Sequence, residues 1–316
     1  NIFVNANWDF MGKRKMFYAV SGLLIAVSIG SMVVNGFNWG VDFSGGRTYV
    51  VKFNNDVDVE GVRAALEERL VSADGVKSTT NVKTYGSDRN LKITTNHLID
   101  QPDTTADRLV EERLRAGLDA AAPGYEISES RKVDPTISDD IQKGAVTSLL
   151  IALALIFVYI ALRFRNWQFG LGGVLSLAHD AIIVLGVYSL LYKIMPFSLE
   201  IDEAFIAAIL TVIGYSINDT VVVYDRIREY LRDHKREPYA VVINKAINST
   251  LGRTMNTSLT TLLVLVVIFI FGGTAIKGFV FALLIGIGVG TYSSIFVAGA
   301  IVTDLLKDKD PARQQQ

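Results

Sequence analysis

"GAVTSLLIALALIFVYIALRF" (144–164) decides how the rest of the chain is read. It carries no charge before Arg163, and about 20 predominantly apolar residues suffice for one helical crossing of a bilayer. Working outward, stretches of the same kind lie at 17–38, 169–191, 203–224, 251–272 and 278–303. Together they predict a polytopic α-helical membrane protein with six transmembrane helices. Composition agrees. Of 316 residues 50% are hydrophobic and the mean hydropathy is +0.33, whereas a soluble domain seldom stays positive over such a length.

Several function classes are excluded early. A net charge of -1 and a pI near 6.4 provide no basic field, so nucleic acid is not expected as a partner. The chain has no cysteine, hence no disulfide and no thiolate metal site. It contains no G-x-x-x-x-G-K-[ST] loop and no H-E-x-x-H, and its 3 histidines are not at metal spacing. We therefore expect no metal, no cofactor and no enzymatic activity, and an energy source other than bound ATP.

Basic residues of short loops set orientation. They gather in "GKRK" (12–15), "RFRNW" (163–167) and "DRIREYLRDHKRE" (225–237), which places these on the cytoplasmic side. The opposite loops, "YKIMPFSLEIDEA" (192–204) and "GGTAIKG" (272–278), carry one lysine each, and the tail "KDKDPAR" (307–313) returns to the basic side. Both termini are expected in the cytoplasm. The run from Phe17 to Val34 after "KRK" reads as a retained signal anchor, because it is long and lacks a clean small-x-small cleavage site. The predicted organisation is a cytoplasmic N-terminus and first span (1–38), an exported domain (39–140), spans two to six with a cytoplasmic loop at 225–250 (141–303), and a cytoplasmic tail (304–316).

Region 39–140 is polar and alternates between strand and helix periodicities. "RTYVVKF" (47–53) alternates as a strand, and "DVEGVRAALEERL" (58–70) is helical after an Asp cap. "VKSTTNVKTYG" (76–86) and "RNLKITTN" (89–96) form a hairpin around 86–88, "TTADRLVEERLRAGLDAAA" (104–122) is a second helix, and "GYEISESRKV" (124–133) a last strand. The order β-α-β-β-α-β predicts an α+β ferredoxin-like domain between the first two transmembrane helices. "PYAVVINKAINST" (238–250) reads as an amphipathic stretch lying along the inner interface or packed under the bundle, or else as an ordinary helical connector, with Val241, Val242 and Ala246 on one face and Asn244, Lys245 and Asn248 elsewhere.

Charge inside a span requires a reason, since a carboxylate at mid-bilayer costs roughly 2.5–3.5 kcal/mol on insertion scales. Asp219 sits in the fourth span, with Tyr215 and Ser216 on its face and Asn218 and Thr211 at its margin. The fifth span carries Ser249, Arg253, Asn256, Thr257 and Thr260 at helical steps. Both stripes are expected to turn inward, toward each other. Asp219 and Arg253 lie within about one turn of the same depth, so a pair is possible: either a fixed register-setting ion pair or a carboxylate whose proton affinity the arginine switches. His179 and Asp180 lie near mid-membrane in the third span, as a polar path or as packing polarity satisfied by neighbours. Gly286 and Gly290 form G-x-x-x-G, which favours close helix packing.

Four blocks taken in order, "WGVDFSGGR" (39–47), "LAHDAIIVLG" (177–186), "TVIGYSINDTVVVYDRIRE" (211–229) and "TLGRTMNTSLTTL" (250–262), resemble the SecD/SecF family of bacterial protein export, in the resistance-nodulation-division superfamily, and within it the SecF type. The resemblance covers nearly the whole chain. It implies one half of a pseudosymmetric twelve-span unit in the bacterial inner (plasma) membrane. Its implied partners are SecD, separate or fused, the SecYEG translocon, YajC- and YidC-type accessories, exported unfolded polypeptides and protons. The implied work is completion of protein export by the proton-motive force. The family's proton-coupling carboxylate falls on Asp219 and its arginine on Arg253, with Tyr215, Ser216, Asn218, Thr220, Asn256, Thr257, Thr260, His179 and Asp180 as a supporting polar path. Gly45 and Gly46 allow a sharp or positive-φ turn that couples the exported domain to the first span, and Asp42 and Arg47 would order it by pairing. An N-terminal Asn1 in place of Met, together with the implied partner, points to excision from a fused SecD–SecF polypeptide. An exporter of small molecules or lipids and a passive translocon scaffold remain as alternatives.

Overall fold

The protein is described here from a computed structural model, covering residues 7–71, 80–87, 89–99, 101 and 104–306. Among them, 6 helices are long and apolar enough to cross a membrane. Helix α1 (Arg14–Asn35) leads through a helical turn, α2 (Val41–Ser44), into an inserted α/β domain: β1 (Gly46–Phe53), α3 (Val59–Arg69), β2 (Thr80–Thr84), β3 (Asn90–Thr95), α4 (Thr104–Ala121) and β4 (Tyr125–Val133). Then follow α5 (Pro135–Phe164), α6 (Trp167–Leu191), α7 (Glu203–Asp233), α8 (Tyr239–Phe271) and α9 (Lys277–Ser293), the last continuing through a π turn (Ser294–Ala298) into α10 (Gly299–Leu305). The N-terminal residues 1–6, part of the expected first hairpin strand (76–79), residue 88 of its turn and the tail after 306 lie outside the described residues.

The inserted domain has the expected ferredoxin-like order. Its four strands run β2-β3-β1-β4, every pair antiparallel. Alternation puts Tyr49, Val51 and Phe53 of β1 on one face, against Val62, Leu66, Val110, Leu114 and Leu118 of α3 and α4. Asp58 starts α3 by accepting from the Glu60 and Gly61 amides at 3.1 and 3.2 Å, the ordinary repair of unsatisfied helix N–H groups. The turn into β1 uses glycine where backbone geometry requires it. Gly45 has φ +66° and Gly46 φ +141°, and a Cβ on Gly46 would stand 2.9 Å from the Thr95 carbonyl oxygen. Arg47 and Asp42 do not pair across that turn. Arg47 reaches Asp107 and the His97 carbonyl, 2.7 Å away, because it lies in β1 beside the β3–α4 connection, whereas Asp42 meets Arg131 at 2.7 Å.

In the bundle, α6, α7 and the α9–α10 span are inside: 50%, 44% and 61% of their most apolar windows are buried, against 17%, 6% and 17% for α1, α5 and α8. The outer helices display Leu, Ile and Val to lipid, which suits a bilayer as solvent. Two apolar clusters fill the interior, one around Tyr188, Phe205 and Ile287 and the other around Phe164, Phe169, Tyr224 and Ile247.

The connection between α7 and α8 differs from expectation. The polar region 225–250 is almost entirely helical, since α7 continues to Asp233 and α8 begins at Tyr239. Arg226 and Glu229 pair one turn apart at 2.6 Å, which supports helix outside the apolar window. The segment 238–250 is thus the first part of α8, not a separate surface helix. Val242, Ile243, Ala246 and Ile247 are buried while Val241 is 44% exposed. Asn244 and Asn248 are likewise engaged: their side chains bind the backbone of Trp8, Phe10 and Met11 at 2.8–3.2 Å, clasping the segment before α1.

Candidate functional site

Between the two apolar clusters lies a layer of polar side chains from α6, α7, α8 and α9. Gly286 and Gly290 of α9 create the space for it. A Cβ on Gly286 would meet the Val212 side chain at 2.3 Å, and one on Gly290 would meet the Ser216 side chain at 2.9 Å, so α7 side chains seat directly on the α9 backbone. That approach delivers Ser216 to Asp180. Ser216 Oγ donates to Asp180 Oδ2 at 2.7 Å, Ser293 Oγ donates to the same oxygen at 2.8 Å, and His179 Nδ1 lies 2.9 Å from Oδ1. Asp180 is fully buried and His179 is 4% exposed, with no partner on His179 Nε2 among the described residues. Thr220 and Ser294 share a hydrogen bond of 2.9 Å, and Tyr292 stacks on the His179 ring.

Asp219 occupies the neighbouring part of this layer. It is 5% exposed, and Ser258 Oγ donates to its Oδ2 at 3.2 Å while Thr291 Oγ1 donates on to Ser258 at 2.7 Å. Among the described residues no ion pair joins Asp219 to Arg253, whose charge reaches it only through space. Helix geometry explains this. Ser258 faces Asp219, and five residues at 100° each turn Arg253 about 140° away from that direction, whereas Thr254 stays on the inner face.

The expectation of two inward stripes therefore holds for α7 and fails for α8. Ser216, Asp219 and Thr220 are buried and Tyr215 is half-buried, its hydroxyl 3.2 Å from that of Thr261; Asn218 and Thr211 are exposed. On α8, Ser249, Arg253, Asn256, Thr257 and Thr260 are all exposed. Thr257 and Thr260 satisfy their hydroxyls on carbonyls of their own helix, at Arg253 and Asn256, so they need no interior partner. The inner face of α8 carries Thr254 and Ser258 instead. The residues that sequence reasoning missed, Ser258, Thr291, Ser293 and Ser294, are small hydroxyls. "TYSS" (291–294) is the one available signal, a polar run inside an apolar span that also marks the entry to the π turn, a distortion frequent at functional sites.

Protein export membrane protein SecD/SecF, C-terminal, matches residues 114–308, and the SecD/SecF GG motif matches 30–57, which holds Gly45 and Gly46. The chain is 45% identical over 96% of its length to protein translocase subunit SecF of Rhodothermus marinus, covering 95% of that protein. The chain belongs to the SecD/SecF protein-export family. SecF of Haemophilus influenzae is 40% identical over 94% of the chain and 86% of that protein. The crystal structure of SecDF from Thermus thermophilus, a translocon-associated membrane protein, superposes with a TM-score of 0.81 at 37% identity, over 96% of this chain and 39% of that one. SecDF in a super-membrane-facing form matches with a TM-score of 0.68 at 36% identity, over 99% and 40%. The chain thus spans about two fifths of the SecDF polypeptides it matches.

Proposed function

We propose that this chain is a Sec translocase subunit that works with a SecD half to complete export of unfolded polypeptides, drawing on the proton-motive force across the bacterial inner membrane. In this reading the inserted domain is exported and both termini are cytoplasmic, as the distribution of basic loops supports. Its partners are then SecD, the SecYEG channel with its YajC- and YidC-type accessories, and the emerging chain.

The observation that carries the reading is Asp219, a carboxylate buried in a membrane helix whose one hydrogen-bond donor among the described residues is the neutral hydroxyl of Ser258. An uncompensated charge there is costly, so such a group is suited to exchanging a proton. Protons arriving from outside neutralise Asp219 and end its attraction to Arg253. The change shifts α7 to α10 against α1, α5 and α6, and the exported domain swings to keep the emerging chain from sliding back. The exposed stripe of α8 supports a half-site reading: Arg253 and Asn256 face outward, where a polar partner surface suits them better than lipid. A six-span SecD half covering that stripe would place Arg253 between the two halves and complete the polar path.

The test is completion of export in inverted vesicles containing this protein with SecD, comparing wild type and Asp219→Asn at equal abundance, with and without a proton gradient. Loss of the gradient-dependent increment in the variant is expected. Its survival would make Asp219 structural and the protein a passive scaffold.

A further inference from the structure

Charged residues from five elements meet where the inserted domain rests on the bundle. Lys92 of β3 pairs with Glu200, in the connection before α7, at 2.6 Å; the side chains are 21% and 12% exposed. Ser198 Oγ donates to the other Glu200 oxygen at 2.8 Å. Arg131 of β4 pairs with Asp42 of α2 at 2.7 Å and with Glu203, the first residue of α7, at 3.5 Å. The Glu203 amide donates to Asp42 Oδ2 at 3.3 Å, and Asp202 caps α7 by accepting from the Phe205 amide at 2.8 Å. Asp42, Lys92, Arg131, Glu200 and Asp202 all line one cavity of about 70 Å³.

The arrangement has two consequences. All of these contacts converge on the N-terminal end of α7, and α7 is one unbroken helix from Glu203 to Asp233. A displacement of its end is therefore carried along a stiff rod to Asp219, about 24 Å away at 1.5 Å per residue. Moreover, the sheet is held by half-buried ion pairs. For such pairs desolvation and attraction nearly cancel, so they are re-formed or exchanged for water at small net change, unlike a sealed apolar interface.

We propose that Lys92–Glu200 and Arg131–Asp42 form an electrostatic clamp that opens and closes during the cycle, making these four side chains positioning residues that link the domain's posture to α7. The clamp rests on the proton-driven reading above. The unequal superposition of this chain on the two SecDF forms, at nearly equal identity, is consistent with more than one arrangement in the family.

The chain has no cysteine, so introduced ones are unique. Spin labels at Ser128→Cys and Ile194→Cys, in the complex with SecD, report the separation of the domain from the bundle. Two distance populations are expected, with the shorter depleted by Lys92→Glu and recovered in Lys92→Glu/Glu200→Lys. A single population unmoved by Lys92→Glu overturns the clamp. In export vesicles a reducible bis-maleimide bridging Lys92→Cys and Glu200→Cys should remove the gradient-dependent increment and reduction should restore it; full activity while locked overturns the proposal. Should the native protein show no increment at all, the proton reading fails, and the distance populations alone decide the clamp.

Discussion

Helices α7 and α8 carry polar stripes of nearly the same chemistry, yet Ser216, Asp219 and Thr220 are buried while Arg253, Asn256, Thr257 and Thr260 are exposed. On α7 the stripe meets α6 and α9, which glycines admit at close range, and its hydroxyls serve a carboxylate. On α8 the threonines turn back onto their own carbonyls and the arginine has no ion-pair partner among the described residues. Spacing identifies a polar face; it does not say whether that face meets this chain's own core or another protein.

The sharpest way to break the contrast is Asp180→Ala. It strands donors from Ser216, Ser293 and His179 in the interior, and we expect a loss of about 3 kcal/mol or more in stability, read as a lower thermal midpoint in detergent. Next comes Gly286→Leu, which forces α9 away from Val212. It should cost about 1–3 kcal/mol and weaken the Ser216 and Ser293 hydrogen bonds to Asp180, measurable as faster amide exchange around residue 216.

An intermediate, pH-dependent effect belongs to the inserted domain. Burial, then the charges of Arg113 and Arg47, hold the His97 imidazole below the ordinary value of 6.5. The folded domain thus binds fewer protons than the unfolded chain, so this contribution is complete above pH 6.5 and is lost progressively as pH falls below it. Amide exchange in β3 of the full chain should accelerate on acidification, and His97→Gln should flatten that response. The smallest effect is expected from Thr260→Val on the outer stripe, within about 0.5 kcal/mol for the chain alone. If the stripe is a partner surface, the same substitution lowers the yield of complex recovered with SecD. Equal recovery would leave the stripe without that role.

The inserted domain was legible because each of its signals is local. Alternation in 47–53, the Asp58 cap and the Gly45–Gly46 turn each act within a few residues, and pairing followed from their order. Within the bundle, Asp219 and Asp180 stood out because charge in an apolar run is rare. Ser258, Thr291, Ser293 and Ser294 did not, since a serine or threonine can bond its own helix at little cost and leaves no periodic trace. The clasp of Asn244 and Asn248 on residues 8–11 was hidden for a different reason: it joins segments more than 200 positions apart that share no pattern.

The sequence by itself determined the number of spans, the order of the inserted domain and the presence of carboxylates inside two of the spans, because hydropathy, capping and turn chemistry act over one helix or hairpin. Only the tertiary structure decided that Asp219 meets Ser258 instead of Arg253, that Asp42 meets Arg131 instead of Arg47, and that the α8 stripe faces outward. Those outcomes depend on the rotation of each helix about its axis, and that rotation is set by which small residues let neighbouring backbones approach.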